Sequence, residues 1–384
     1  MNPVGSSCRV SRGAEAELAA NETDSDALRG SIGGCDHNGR DGGGTYTEVP
    51  AVGPLKEGRQ AGLDMMRPTI LLSAVLAAVA LAACGADDDV APQRAGEQSP
   101  DAGERAAERP EIAFSRAGGK FSLSIYVMNA DGGGRVRLTD DSEAVDTDPA
   151  FSPDGEWIAF TRQEGRESRT YLIESDGADV TQLTDGRDDS QPAWSPDGER
   201  IVFRRAEGSL YIMEADGSDA AQLTDGPDDS QPAWSPDGER IVFNRERPLK
   251  GDPAAAEGGI YATNADGSGP VNLSDGPAFD EFNSSPAFSP DGRRIAFLAR
   301  GLGEETAHVW LMGAHGSDPA PLDGTRSAPF SPPAFSPDGK RIVFVGGREG
   351  GIHVMNAGGS DPTRLTRRID DMGPAWSPAA AKSP

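Results

Sequence analysis

Cysteine is nearly absent from this chain, with three in 384 residues, and the base count is low, with 36 Lys and Arg against 62 Asp and Glu. Three thiols cannot build a disulfide framework, so a stable fold here must come from a packed core. A formal net charge of −26 excludes charge-driven attraction to nucleic acid or to an anionic lipid surface. Histidine is also scarce, at four residues, and neither an H-E-x-x-H helix motif nor a G-x-S-x-G nucleophile elbow occurs. The longest apolar run, Ile70 to Ala83, is broken by Ser73 and is too short for the roughly 20 residues that span a bilayer.

What the chain does have is a repeat. Pro-Ala-aromatic-Ser-Pro-Asp-Gly, followed by a strand ending Ile-Ala/Val-Phe, begins at Pro149, Pro192, Pro232, Pro286 and Pro333, and a truncated copy, PAWSP, begins at Pro374. The steps run from 40 to 54 residues, the length of one four-stranded propeller blade. Within each copy, Pro presets φ at the first turn corner, Asp tolerates the second and Gly takes positive φ. A third strand is expected at Tyr126, Tyr171, Tyr211, Tyr261, Val309 and His353. A short fourth strand is expected to end at Leu138-Thr, Leu183-Thr, Leu223-Thr, Leu273-Ser, Leu322-Asp and Leu365-Thr.

Strand counting then predicts an all-β, six-bladed β-propeller over residues 111–378. Second, third and fourth strands appear first, at Ile112 to Phe114, Ile125 to Met128 and Val136 to Thr139. The orphan PAWSP at the far end supplies the missing first strand. Closure of this kind removes exposed sheet edges. Loop lengths predict two unlike faces. From repeat Pro to Phe the step is 11 residues in every full copy, and from the turn Gly to Leu it is 6, whereas the loops at the other ends of the strands vary, as between Phe243 and Ile260. Variable loops on a rigid scaffold suit a face that meets partners, and equally suit neutral drift in surface loops that tolerate change.

Ahead of the repeats the composition changes. Residues 1–64 carry no apolar periodicity and read as a disordered extension or an over-extended gene start. Residues 65–84 have the layout of a signal peptide: Met65-Met66-Arg67, the apolar run, then Leu81-Ala82-Ala83-Cys84. The tetrad LAAC resembles a bacterial lipobox, which implies lipidation of Cys84 and membrane attachment through it. Residues 85–110 read as a solvated, flexible tether.

Three residues before each repeat Pro stand Asp146, Asp189, Asp229, Asn283, Phe330 and Asp371. Oxygen ligands gathered round one axis suit calcium or magnesium, with no other cofactor implied. The same side chains also suit loop capping through nearby backbone N–H groups. The readings part experimentally. Asp189→Asn with Asp229→Asn should leave folding nearly intact if the ring serves a ligand, and should collapse melting if it is structural.

The combination PAWSPDGERIVF, YIMEADG and QLT resembles the TolB-type propeller repeat, a WD40-like family, over about residues 111–378. The resemblance implies a non-catalytic, monomeric propeller in the bacterial envelope, on the outward face of the cytoplasmic membrane or in the periplasm. There it would bind an envelope or extracellular protein or peptide. A propeller enzyme or a carbohydrate-binding wall protein working at the channel mouth, with calcium, is the alternative.

Overall fold

A computed structural model describes residues 111–378, apart from 119–121, 141–142, 207, 227, 250–251, 276–282, 301–306, 328–330 and 348–349. The expectations for residues 1–64, 65–84 with Cys84, and 85–110 lie outside the described residues. Every regular element among those described is a strand.

Four separate four-stranded antiparallel sheets are present. One joins Ser190–Trp194, Arg200–Arg205, Ser209–Glu214 and Ala221–Gln222, and the next joins Asp229–Trp234, Arg240–Leu249, Asp252–Asn264 and Val271–Asn272. A third joins Asn283–Phe288, Arg294–Ala299, Ala307–Gly313 and Ala320–Ser327, and the fourth joins Ala334–Phe335, Arg341–Val345, Ile352–Asn356 and Thr363–Arg364. An eight-stranded sheet holds the rest. In one half Ala144–Phe151, Trp157–Glu164, Glu167–Glu174 and Thr181–Gln182 pair in chain order. In the other half Met372–Trp376 pairs with Ile112–Ala117, followed by Leu123–Met128 and Val136–Arg137. Among the described residues one parallel pair, Leu123 with Val145, joins the halves.

First strands form a closed circuit of contacts. Ala144–Phe151 touches Ser190–Trp194, contact passes on through the first strands of the next three sheets to Met372–Trp376, and that strand touches Ala144–Phe151 again. Both chain ends of the described region therefore share one sheet, with Ile112 opposite Trp376 and Ala113 opposite Ala375.

Local chemistry repeats as the sequence does. In each Ser-Pro-Asp-Gly turn the Ser hydroxyl donates to the Asp carboxylate and accepts the N–H five residues on, as from Arg200 to Ser195 at 2.9 Å. The same Asp accepts the N–H two residues ahead, at Glu199, Glu239, Arg293 and Lys340. These bonds, the Ser hydroxyl first, hold the carboxyls of Asp197, Asp237, Asp291 and Asp338 below the usual aspartate value. Gly155, Gly198, Gly238, Gly292 and Gly339 all take φ near +70°, which a Cβ would penalise.

Each second strand contributes one Phe to the core. Phe114, Phe160, Phe203, Phe243 and Phe297 are fully buried, and Phe344 nearly so. Burial stabilises by about 1.5–3 kcal/mol for each such side chain. Each ring packs on an aromatic of the third strand with centroids 5.5 to 6.4 Å apart: Tyr126, Tyr171, Tyr211, Tyr261, Trp310 and His353. Sheets are stitched together by cation–π contacts, Arg200 over Trp234, Arg240 over Phe288, Arg294 over Phe335 and Arg341 over Trp376.

Two details differ from the sequence expectation. The first strands begin upstream of the repeat Pro, and their pairing is interrupted by a bulge just before it, as between Thr147 and Ala150. The Leu-Thr position is not the end of the fourth strand but a cap beside it. The hydroxyls of Thr139, Thr184, Thr224, Ser274 and Thr366 accept a third-strand N–H fourteen residues back. In the sheet of residues 283–327, Leu322 is followed by Asp323 and Gly324, and Thr325 takes the capping role for Val309. There the outer strand runs on to Ser327, which bridges to Gly346 of the next sheet.

Candidate functional site

The expected carboxylates sit where their sheets meet the variable loops, and each has an arginine. Asp146 and Arg162 form a bidentate pair at 2.8 Å, and Asp189 and Arg205 form one at 2.8 and 3.0 Å. Asp229 pairs likewise with Arg245, and Asp371 with Arg116. All four Asp side chains are fully buried, and three of the Arg side chains keep only 11–13 % of their surface. Fork-to-fork pairing gives two charge-assisted hydrogen bonds and neutralises the carboxylate where it stands.

Each guanidinium also lies over the Phe–Tyr pair of its own sheet, Arg162 at 5.4 Å from the Phe160 centroid and 5.1 Å from that of Tyr171. Arg116, Arg205 and Arg245 repeat this. For Arg205 and Arg245, the hydrogen bond donated to the paired Asp pushes the guanidinium pKa upward.

The two remaining sheets explain themselves by the same rule. Arg stands two residues after the core Phe, and at that place the sheet containing Asn283 has Ala299, while the sheet preceded by Phe330 has Gly346. Where the acid is missing the base is missing too. Asn283 donates from Nδ2 to the Gly258 carbonyl at 3.2 Å, and Phe330 lies outside the described residues. A Cβ on Gly346 would come within 2.7 Å of the His353 ring, so the imidazole fills the space of the absent Arg.

Thus Asp146, Asp189, Asp229 and Asp371 are brought into one circuit of sheets, each already compensated by an arginine. Among the described residues no group of three or more His, Cys, Asp or Glu could hold a metal ion. Sequence reading missed the arginines, although the signal was present: Asp and Arg occur together in the same four copies.

A second circuit lies one residue before each repeat Pro, at the bulge. Asp148, Gln191, Gln231, Ser285 and Gly373 all have φ between 53° and 59°. At this twist the backbone N–H leaves its own ladder and points to the preceding sheet. Gln231 N–H donates to Gln191 Oε1 at 2.8 Å, and Ser285 N–H donates to Gln231 Oε1 at 2.9 Å. Gln191 N–H donates to Thr161 Oγ1 at 2.9 Å, and Gly373 N–H donates to Ser331 Oγ at 3.0 Å. At the remaining position Pro332 has no N–H to cap. Asp148 differs from its counterparts. Its Oδ2 accepts from the hydroxyls of Thr147 and Thr161, and its carboxyl pKa is raised, chiefly by desolvation.

Among the described residues the histidines lie apart from one another. His315 Nδ1 lies 3.3 Å from Arg240, His353 stacks on Phe344, and His308 pairs across the strand with Ala299. The opposite, uniform turns contrast with the long hairpin Arg240–Leu249 and Asp252–Asn264 on the variable side, in which Arg247 pairs with Glu257 beyond the neighbouring sheets' strand ends.

Four-stranded meanders set in a circuit, with aromatic stitching between them, define a β-propeller. Residues 95–276 match the family described as the TolB beta propeller domain. Over 56 residues the chain is 38% identical to the Tol-Pal system protein TolB of Bordetella pertussis, and over 63 residues it is 35% identical to an uncharacterized protein of Agrobacterium fabrum. These segments are 15% and 16% of this chain and only 13% and 21% of those proteins. In fold, the chain superposes on TolB from Acinetobacter baumannii with a TM-score of 0.60 at 21% identity, covering 70% of this chain and 67% of that one. A putative TolB from Agrobacterium tumefaciens gives 0.52 at 17% identity, with 70% and 99% covered. The family model matches just under half of the chain, and the structural likenesses show the β-propeller fold.

Proposed function

We propose that the protein is a non-catalytic, six-bladed β-propeller scaffold of the bacterial envelope, lipid-anchored through Cys84, whose variable-loop face binds an envelope or extracellular protein or peptide. Six blades follow from treating the eight-stranded sheet as two four-stranded units that share the parallel pair Leu123–Val145. The observation that carries the binding reading is the contrast between faces. One face repeats the same Ser–Asp turn five times, and the other bears loops of unequal length and the long 240–264 hairpin. Support for a scaffold over an enzyme comes from the buried acids: four of them have both carboxylate oxygens occupied by a bidentate arginine.

Crosslinking and pull-down from cells expressing the full chain, with calcium added or chelated, tests this reading. Capture of one envelope protein in both arms is the expected result. Recovery of glycan alone, or capture only with calcium, would replace the scaffold with a carbohydrate-binding or calcium-dependent protein. Substituting Asn-Gly for residues 248–256 joins the paired Arg247 and Glu257 by a tight turn. It should reduce capture at least tenfold and leave the melting temperature unchanged.

A calcium ion at Asp146, Asp189, Asp229, Asn283 and Asp371 would have to displace four arginines. Calcium at millimolar concentration should therefore shift the melting temperature by less than about 1 °C, since a ligand of the folded state at 100 times its Kd adds about 2.7 kcal/mol. A calcium-dependent rise of several degrees would restore the cation site. For the anchor, Cys84→Ser should move the protein out of the detergent phase; retention there would remove Cys84 as the attachment point.

A further inference from the structure

The circuit of pre-proline N–H groups is capped by side chains at every position that has an N–H, except one. Gln191 caps Gln231, Gln231 caps Ser285, Ser331 caps Gly373 and Thr161 caps Gln191. By the same order residue 373 should cap Asp148, but it is glycine. A Cβ on Gly373 would stand 4.0 Å from the Asp148 nitrogen, so the space for a cap is there and the group is not. Among the described residues no side chain accepts from the Asp148 N–H.

Beside that donor stands an acceptor. The Asp148 carboxylate uses Oδ2 for the Thr147 and Thr161 hydroxyls, at 3.0 and 3.1 Å, and has no arginine, unlike the four deeper aspartates. Asp148 and Gly373 are both half-buried, on first strands that touch each other in the circuit. An N–H and a carboxylate oxygen side by side, with one hydroxyl-satisfied edge behind them, match a group that accepts and donates at once. The group that fills the equivalent space elsewhere in this chain is the glutamine carboxamide of Gln191 and of Gln231.

We propose that Asp148 and Gly373 form a binding site for a primary carboxamide, supplied by an Asn or Gln side chain of a partner that reaches into the circuit of first strands. The carboxamide oxygen accepts from the Asp148 N–H, and its NH2 donates to Asp148 Oδ1. A lysine ammonium is a poorer fit, because it would leave the Asp148 N–H facing a second donor. That the carboxamide belongs to a protein rests on the scaffold reading. The site itself does not, and a small probe tests it separately.

The experiment is an NMR titration of the folded chain with N-acetylglutamine N-methylamide, with N-acetylnorvaline N-methylamide and N-acetyllysine N-methylamide as controls, so that the glutamine side chain is the one primary carboxamide among the probes. Saturable movement of the Asp148 amide signal by the glutamine probe, at least fivefold tighter than by either control, is expected. The decisive variant is Gly373→Gln. Its φ of 59° is no worse than the 55° and 53° that Gln191 and Gln231 already adopt, so a glutamine fits the backbone there. This variant should close the circuit in cis, weaken the probe at least tenfold and raise the melting temperature.

Binding of the probe unchanged by Gly373→Gln, a preference for the lysine probe, or no saturable binding at all would each overturn the site. A lower melting temperature in Gly373→Gln would overturn the geometry on which it stands. If the probe binds as expected but no protein is captured in cells, the scaffold reading fails and the carboxamide site remains.

Discussion

Arg245→Ala should destabilise the protein by about 3–5 kcal/mol, because it leaves the fully buried Asp229 carboxylate without its compensating charge. For a domain of this size the melting temperature falls by roughly 6–20 °C. Removing both charges is a different matter. Asp229→Asn combined with Arg245→Ala should recover half or more of that loss, since an uncharged amide is far cheaper to bury than an unpaired carboxylate. The protein already carries this uncharged form in the sheet with Asn283 and Ala299. The residual deficit reflects the guanidinium lost from above the Phe243 and Tyr261 rings. A chemical-denaturation cycle over the two single variants and the double variant measures the coupling directly. If Arg245→Ala costs under 1 kcal/mol, the carboxylate is hydrated and the position is open to a ligand after all.

The same reasoning reverses one expectation for the ring. Asp189→Asn with Asp229→Asn leaves Arg205 and Arg245 without their bidentate partners, so melting should suffer along with any binding.

Deleting residues 371–378 should abolish the native fold, with loss of a cooperative melt and a rise in dye-accessible apolar surface. That segment holds the strand paired with Ile112–Ala117, the Asp371 partner of Arg116, and Trp376. Trp376 packs with Ile112, Phe114, Met128 and Val343 and lies 4.8 Å under the Arg341 guanidinium, so it joins both neighbouring sheets. Its loss exposes Ile112–Ala117 as an unpaired edge and opens the circuit of first strands at one point. Trp376→Ala alone should cost about 3–5 kcal/mol, as for a large aromatic in any core. A truncated chain that melts within about 3 °C of the full one would mean that the sheets are stable one by one and that closure adds little.

Much of the architecture was legible because its causes are local. Ser195, Pro196, Asp197 and Gly198 make their turn from bonds among residues 195–200, and the same five-residue loop recurs wherever the same letters do. The core Phe positions and their aromatic partners follow from strand alternation. The orphan PAWSP at the far end pointed to pairing with Ile112 for want of any other partner. By contrast, Thr139, Thr184 and Thr224 looked like strand ends, because the N–H that each hydroxyl accepts lies on a different strand. Ala320–Ser327 is longer than the short strand its sequence predicts, because its cap, Thr325, is displaced by Asp323 and Gly324.

The candidate site was only half legible. Asp146, Asp189, Asp229 and Asp371 were visible as a periodic set of acids, which by itself fits a cation site, loop caps or ion pairs. The register of the first and second strands decides among them by placing Asp146 opposite Arg162 and Asp229 opposite Arg245.

The sequence alone determined the repeat, its turns, its strand order and the inequality of its two faces, since each depends on residues within one copy or on the count of copies. Only the tertiary structure decided which charges neutralise each other and where the pre-proline circuit stays uncapped. Those depend on cross-strand register and on what the neighbouring sheet presents, and Gly373 meets Asp148 only once residues more than two hundred positions apart are folded side by side.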